Sequence, residues 1–398
     1  MTTGSADRTE ASTRAEPDRA QSLLSRELAP LALRGLEKMV LPERHVFCDI
    51  ARSDAAGGLH LLGESDRYTA MVMIGLAAQQ PAGVGADLPV EGIWDRLVEW
   101  ATSGTDLGGA GLVLWGLVLG KDGRAEAVAR AVVQRQDKAL ARLSGFQSMP
   151  LGWALTGLSE AIGAGVGGQG VRTLARRVRD RLFENRCDQT GLFCFGTPPG
   201  RRNVVKARTN RRLGSFASQV YPSIGLARYA TAGGDRESLA AAVQCADRIV
   251  SLQGPQGQWW WVYHVRSARP AIKYPVYSIH QDAMGPMALL AVHQAGGPDY
   301  DEAIRKGLLW IERHPECPEA QLIDNDLGVV WRAIQRDDPR RTGPLGLGLG
   351  ERFRMNVAAW VGGADTRRFR KGFVCDECRP YHLGWILLAA AMAAAEEQ

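Results

Sequence analysis

Apolar residues along this chain fall into two alternating patterns. In "GVRTLARRVRDRLFE", Val171, Leu174, Ala175, Val178 and Leu182 recur at helical spacing with arginines between them. That spacing predicts a helix with one buried face. Similar two-faced segments lie near 18–40, 90–103, 124–143, 236–251 and 300–313. Between them stand stretches that are apolar or small nearly all round: "RYTAMVMIGLAAQ", "LGGAGLVLWGLVLG", "PLGWALTGLSEAIGAG", and others near 215–232, 277–295 and 381–395. A helix without a polar face has to be buried on every side. Strict alternation of six of each kind predicts six outer helices around six inner ones, an all-α (α/α)6 toroid over 17–398. The polar, small residues 1–16 form a disordered tail ahead of it. An open stack of helical hairpins is the alternative, but no fixed sequence period supports it.

Loop lengths add a direction to the ring. Inner-to-outer links are short at 120–123, 166–168, 233–235 and 296–299, with 81–89 the longest. Outer-to-inner links include 41–66, 187–214, 252–276 and the long 314–380. In a toroid these all emerge on one rim, so one rim is plain and the other decorated. Strand-like stretches occur only in these loops, as at Gly191–Phe195 and Trp259–Val265. Long loops on a rigid scaffold are where binding and catalysis concentrate. The starts of inner helices also carry the unusual residues, in "SDRYTA", "SFASQVYP", "YSIHQDAMGPM" and "ECRPYHLGW". Helix N-termini suit anionic or hydroxyl-rich ligands.

Composition narrows the function classes. With 48 Lys+Arg against 43 Asp+Glu, the chain has no excess that argues for nucleic acid as a partner. The apolar run Leu107–Gly120 is too short and glycine-rich to span a bilayer. No apolar leader precedes the ring and the cysteine count, seven, is odd, so a reduced cytoplasmic setting is expected. Between Gly200 and Ser215 lie six basic residues and no acid, by default a solvated loop, otherwise a flap for an anionic substrate.

Candidate chemistry gathers in three stretches. In "QGPQGQWWWVY", Trp259 and Trp261 share one face of an extended segment while Trp260 points opposite, so at least one is expected on the rim beside Tyr263. They serve either as core or as flat platforms for sugar rings or prenyl chains. In "YPVYSIHQDAMGP", Tyr277 ends the loop or Ser278 caps the helix, and His280, Gln281 and Asp282 occupy the first turn. The helix dipole lowers a carboxylate pKa there, so Asp282 reads as a base or charge stabiliser. In "VCDECRPYHLGW", Glu377 is the matching acid, with Arg379 and Tyr381 reaching the same rim. Cys375, Cys378 and His382 have the spacing of three zinc ligands but lack an evident fourth, so no cofactor is expected and zinc is a minor alternative. Arg67 and Tyr68 begin the first inner helix behind Asp66, and Trp331 and Arg332 sit on an expected short helix in the longest loop. Asp54 and Asp188 are simplest as turn residues, and Asp324 and Asp326 are further rim carboxylates in the longest loop.

The motifs "FASQVYPSIGLARYA", "QGQWWW", "YPVYSIHQDAMGPMALL", "GVVWRAI" and "ECRPYHLGW" resemble bacterial proteins assigned to the six-hairpin glycosidase superfamily. The similarity runs from about Arg67 to Trp385. It implies the toroid and a sugar-related role, and transfers no catalytic residues. Gln253, Gly257 and Trp259 also resemble the Q-x-x-x-G-x-W repeats of triterpene cyclases, while the D-x-D-D acid motif of those enzymes is absent. The expected function is a carbohydrate-active enzyme: a glycosidase, lyase or epimerase acting on a glycan or uronic saccharide. Asp282 and Glu377 would be its carboxyl pair, with His280 as a proton-transfer substitute. A prenyl cyclase with an aromatic pocket and a non-catalytic glycan-binding protein of polysaccharide assembly are the alternatives.

Overall fold

The structure, a computed structural model, describes residues 22–54, 56–79, 88–104, 106–135, 137, 140, 147–196, 208–336, 357–358, 360 and 371–396. The tail 1–16, much of the basic stretch 200–215 and most of 337–370 in the loop 314–380 lie outside them. Twelve helices alternate in chain order, as the two hydrophobic patterns predict. The outer helices are α1 (Ala29–Met39, led in by a π turn over Leu23–Leu28), α3 (Val90–Ser103), α5 (Ala125–Gln134), α7 (Gly168–Glu184), α9 (Arg236–Ser251) and α11 (Asp301–Arg313). The inner helices are α2 (Asp66–Ala78), α4 (Leu107–Leu119), α6 (Ser148–Gly163), α8 (Ala217–Gly233), α10 (Gly285–Gln294, continuing a π turn over His280–Met284) and α12 (Pro380–Ala395).

Each inner helix touches the next, and α12 returns to α2, so the ring is closed. Outer helices bury one stripe each, as in α3 with Ile93, Trp94, Leu97 and Ala101. Side chains pinned between neighbours leave little room at the inner seams. A Cβ at Gly75 would meet the Gly384 carbonyl, one at Gly157 the Gly111 carbonyl, and one at Gly152 the backbone of Tyr221. Glycine costs a helix about 1 kcal/mol against alanine; here it allows backbone-to-backbone packing. Polar caps fix where inner helices begin: Ser65 accepts from the Tyr68 amide and Asp106 from that of Gly109. Ser65 thus holds the cap position, and Asp66 pairs with Arg96 instead.

All the strands described lie in outer-to-inner links, on the decorated rim. Three small three-stranded sheets stand there: Glu377–Cys378, Ile50–Ser53 and Leu59–Leu62; Phe373–Cys375, Ala333–Gln335 and Val276–Tyr277; Leu213–Ser215, Val262–His264 and Arg269–Ile272. They join loops distant in sequence, so the long loops hold one another in place. The short helix expected around Trp331 and Arg332 is instead the turn between Val329–Val330 and Ala333–Gln335. Gly191–Phe195 makes only one isolated bridge, Phe193 to Arg186.

Candidate functional site

On the decorated rim, the starts of α2 and α12 and the lead-in to α10 bring aromatic rings and guanidinium groups together. Tyr68 and Tyr381 pack with ring centroids 4.4 Å apart. Arg379, just ahead of α12, donates to the Tyr68 hydroxyl at 3.2 Å and to Asp49 at 3.3 Å. Arg332 lies over the Tyr277 ring at 5.3 Å, and Tyr277 meets Trp261 edge to face at 6.1 Å. Tyr68, Trp261, Tyr277, Arg332, Arg379 and Tyr381 are all partly accessible. Burial pushes the Tyr277 and Tyr381 hydroxyls up, against the pull of Arg332 and Arg379, so both stay protonated donors.

Glu377 ties these guanidiniums together. Its carboxylate accepts from Arg52 on one oxygen and from Arg332, at 2.8 Å, on the other, with Arg379 at 3.8 Å. Burial alone would raise its pKa, but the Arg332 charge and the two arginine hydrogen bonds outweigh burial and hold the carboxyl below its ordinary value. A group held ionised this way cannot donate a proton, so the expected acid role of Glu377 does not fit its surroundings. Among the described residues, these three guanidiniums face only Glu377 and Asp49 as counter-charges. The Nε–H groups of Arg52 and Arg379 are buried without a protein acceptor. Nearby, Arg67 pairs with Asp106 at 2.6 Å and lies over Trp153 at 5.5 Å.

Beneath this cluster lies a buried polar pair. Asp282, in the π turn before α10, receives His382 Nε2 from the first turn of α12 at 2.8 and 2.9 Å. Burial pushes the Asp282 carboxyl up, against the pull of His382. The dipole argument for a low pKa therefore fails, because the carboxyl sits inside the ring rather than at its mouth. His280 packs on Phe216 at 4.6 Å and Tyr277 at 5.1 Å. Its Nδ1 is buried with no partner, and burial lowers its pKa to about 3, so the ring is neutral.

Several expected site residues belong to the scaffold instead. Trp259 is fully buried and stacked on Phe216 at 5.6 Å, with its ring against Gly285 and Gly307. Gln281 is equally buried: its amide accepts from the Trp259 N–H at 3.0 Å and donates to the Trp259 carbonyl at 3.2 Å. Tyr263 is buried with its hydroxyl accepting from the Trp260 amide. Trp260 packs under Lys273 and beside Tyr274, away from Tyr277. Trp331 is buried, and its carbonyl accepts from the Ser278 hydroxyl at 2.6 Å, so Ser278 does not cap α10. The alternation expected of three extended tryptophans does not apply, since the strand begins only at Val262.

The cysteine–histidine spacing does not close on a metal. Among the described residues no three His, Cys, Asp or Glu side chains converge as a metal site. His382 is committed to Asp282, and burial pushes the Cys378 thiol up to about 12, away from the thiolate that zinc needs. The Asp282–His382 pair and the role of Arg52 escaped the sequence reading. One signal was available: Asp282 and His382 are polar residues opening two helices that have no polar face, and such groups have to find partners.

No protein-family model matches this sequence, and no curated protein does. Solved structures of similar shape exist. An unsaturated glucuronyl hydrolase specific for heparin superposes with TM-score 0.60 at 12% identity, over 96% of this chain and 99% of that one. A glycosyl hydrolase family 88 protein from Bacteroides vulgatus gives 0.55 at 12%, over 93% and 99%. A polysaccharide lyase gives 0.50 at 11%, over 83% and 90%. At such identities the likeness is one of fold: all share the six-hairpin toroid.

Proposed function

We infer that this protein is a carbohydrate-active enzyme whose substrate is a saccharide bearing a carboxylate. The observation that carries this reading is the cluster of Arg52, Arg332 and Arg379, under-neutralised by Glu377 and Asp49 and flanked by Tyr68, Tyr277, Tyr381 and Trp261. Guanidinium forks suit planar carboxylates, and aromatic faces suit the C–H faces of sugar rings. The similar structures support the reading, being named for a glucuronyl hydrolase and a polysaccharide lyase. A cyclase reading is weaker, because three guanidiniums would oppose a cationic intermediate. Localisation in the cytoplasm accords with the composition; among the described residues no helix is long and apolar enough to cross a membrane.

The test compares uronate-bearing oligosaccharides with neutral ones of the same length in a thermal-shift titration. Uronate saccharides are expected to raise Tm, and Arg332→Ala to weaken them about tenfold or more, the equivalent of about 1.4 kcal/mol. Equal shifts by neutral saccharides, or no shift by either, would sink the reading. The pairing of Glu377, Asp49 and Asp106 with arginines also fits a glycan-binding protein without catalysis. Turnover decides between the two.

A further inference from the structure

A glycan-cleaving site needs a group that can carry a proton, and Glu377, the carboxylate at the centre of the aromatic cluster, is held ionised by its arginines. The Asp282–His382 pair differs. Asp282 retains no accessible side-chain surface, whereas the His382 side chain retains 4%. The imidazole is therefore the less enclosed end of the pair, and the carboxylate lies behind it. Both Asp282 oxygens contact the one nitrogen, Nε2. With the carboxylate ionised, the proton of a neutral imidazole sits on Nε2 and Nδ1 is the lone-pair nitrogen. Within the same first turn of α12, the His382 amide donates to the Arg379 carbonyl at 2.9 Å, which holds the backbone of the two residues together. His280 lies alongside, neutral, so no second charge competes for the proton.

Resting on the uronate reading above, we propose that His382 is the catalytic acid–base of a β-elimination, and that Asp282 is its positioning residue. His382 Nδ1 takes the proton from the carbon next to the uronate carboxylate. The bond from the neighbouring carbon to the glycosidic oxygen breaks, a carbon–carbon double bond forms, and the same imidazolium returns the proton to the leaving oxygen. The imidazole ends in the protonation state in which it began, and no co-reactant is consumed. Arg332 and Arg379 stabilise the charge that builds on the carboxylate when the proton leaves. One proton carrier suffices for this chemistry, whereas hydrolysis requires an acid and a base across the bond.

The experiment incubates the full-length protein with uronate oligosaccharides that raise its Tm, and follows the far-ultraviolet absorbance of the conjugated double bond in an unsaturated product. Wild type should generate that absorbance. His382→Gln should lose turnover by about 100-fold or more while Tm shifts persist, and added imidazole should partly restore His382→Ala. Asp282→Asn should lower kcat with KM little changed, a split that a merely structural residue would not give. If His382→Gln fails to fold, the imidazole rescue of His382→Ala and the Asp282→Asn kinetics still decide. Binding with undiminished turnover in His382→Gln, or saturated hydrolysis products from wild type, would overturn this inference alone. If no uronate saccharide binds, the functional reading falls and this inference with it.

Discussion

Glu377 shows how far a side chain's meaning depends on distant residues. Its position ahead of an inner helix can be read from "ECRPYHLGW", but its character is set by Arg52, 325 residues away. Asp282 likewise owes its burial and partner to His382, 100 residues on. Positions were therefore legible where ionisation states were not. Replacing Glu377 by Gln leaves three guanidiniums short of a counter-charge. The expected cost is about 2 kcal/mol, below the roughly 3–5 kcal/mol of a fully buried pair, because Arg52 and Arg332 are about a third exposed. The sign of the pH effect follows from linkage: the folded pKa lies below the ordinary 4.5, so the unfolded chain binds the proton more readily. This part of the stability is complete above about pH 5 and is lost as pH falls through the folded value. Urea denaturation at neutral pH and in acid should show that loss in wild type and a shallower loss in Glu377→Gln.

At the scale of elements, the helices follow from the sequence because burial leaves a periodic imprint on each of them. The rim sheets left almost none: strands of two to four residues carry too few positions for alternation to register. The tryptophan run mixes both cases. Trp259 is a brace that fills the space between α10 and α11 where Gly285 and Gly307 leave room for its ring. Trp261 belongs to the rim, packing against the small core of Leu213, Val262, Ala271 and Ile272. Trp259→Ala should cost about 3–5 kcal/mol, as large aromatic truncations in a core do. Gly285→Ala should cost about 1–3 kcal/mol by overpacking against the same ring. In a Trp259→Phe background the Gly285→Ala penalty should shrink. A double-mutant cycle by chemical denaturation measures this coupling, and strict additivity would count against the brace.

For the whole molecule, alternation of two hydrophobic patterns and unequal loop lengths were enough to read a closed ring with one worked rim. Closure itself was the part argued most indirectly, because the seam from α12 back to α2 joins opposite ends of the sequence and leaves no local imprint. That seam is sealed by Gly75 and Gly384 in close backbone contact. The seam between α10 and α12 has a polar fastening next to it, the Asp282–His382 pair.

The closing of the ring by α1 against α12 has one more consequence. Inner helices run toward the plain rim and outer helices away from it, so α12 finishes where the π turn before α1 starts, and the two are in contact. Five links cross the plain rim, and at the sixth position the end of α12 meets the π turn before α1. A ring has no intrinsic first hairpin. A circular permutant that joins the end of α12 to residue 22 by a flexible linker and opens instead between Gly120 and Gly123, in an exposed turn on the same rim, should fold to the same circular dichroism spectrum. It should lose no more than about 1–3 kcal/mol, since no buried contact is cut. Loss of cooperative unfolding would mean that the order in which hairpins are added matters. Retention would make each of the six plain-rim crossings an interchangeable place to begin the chain.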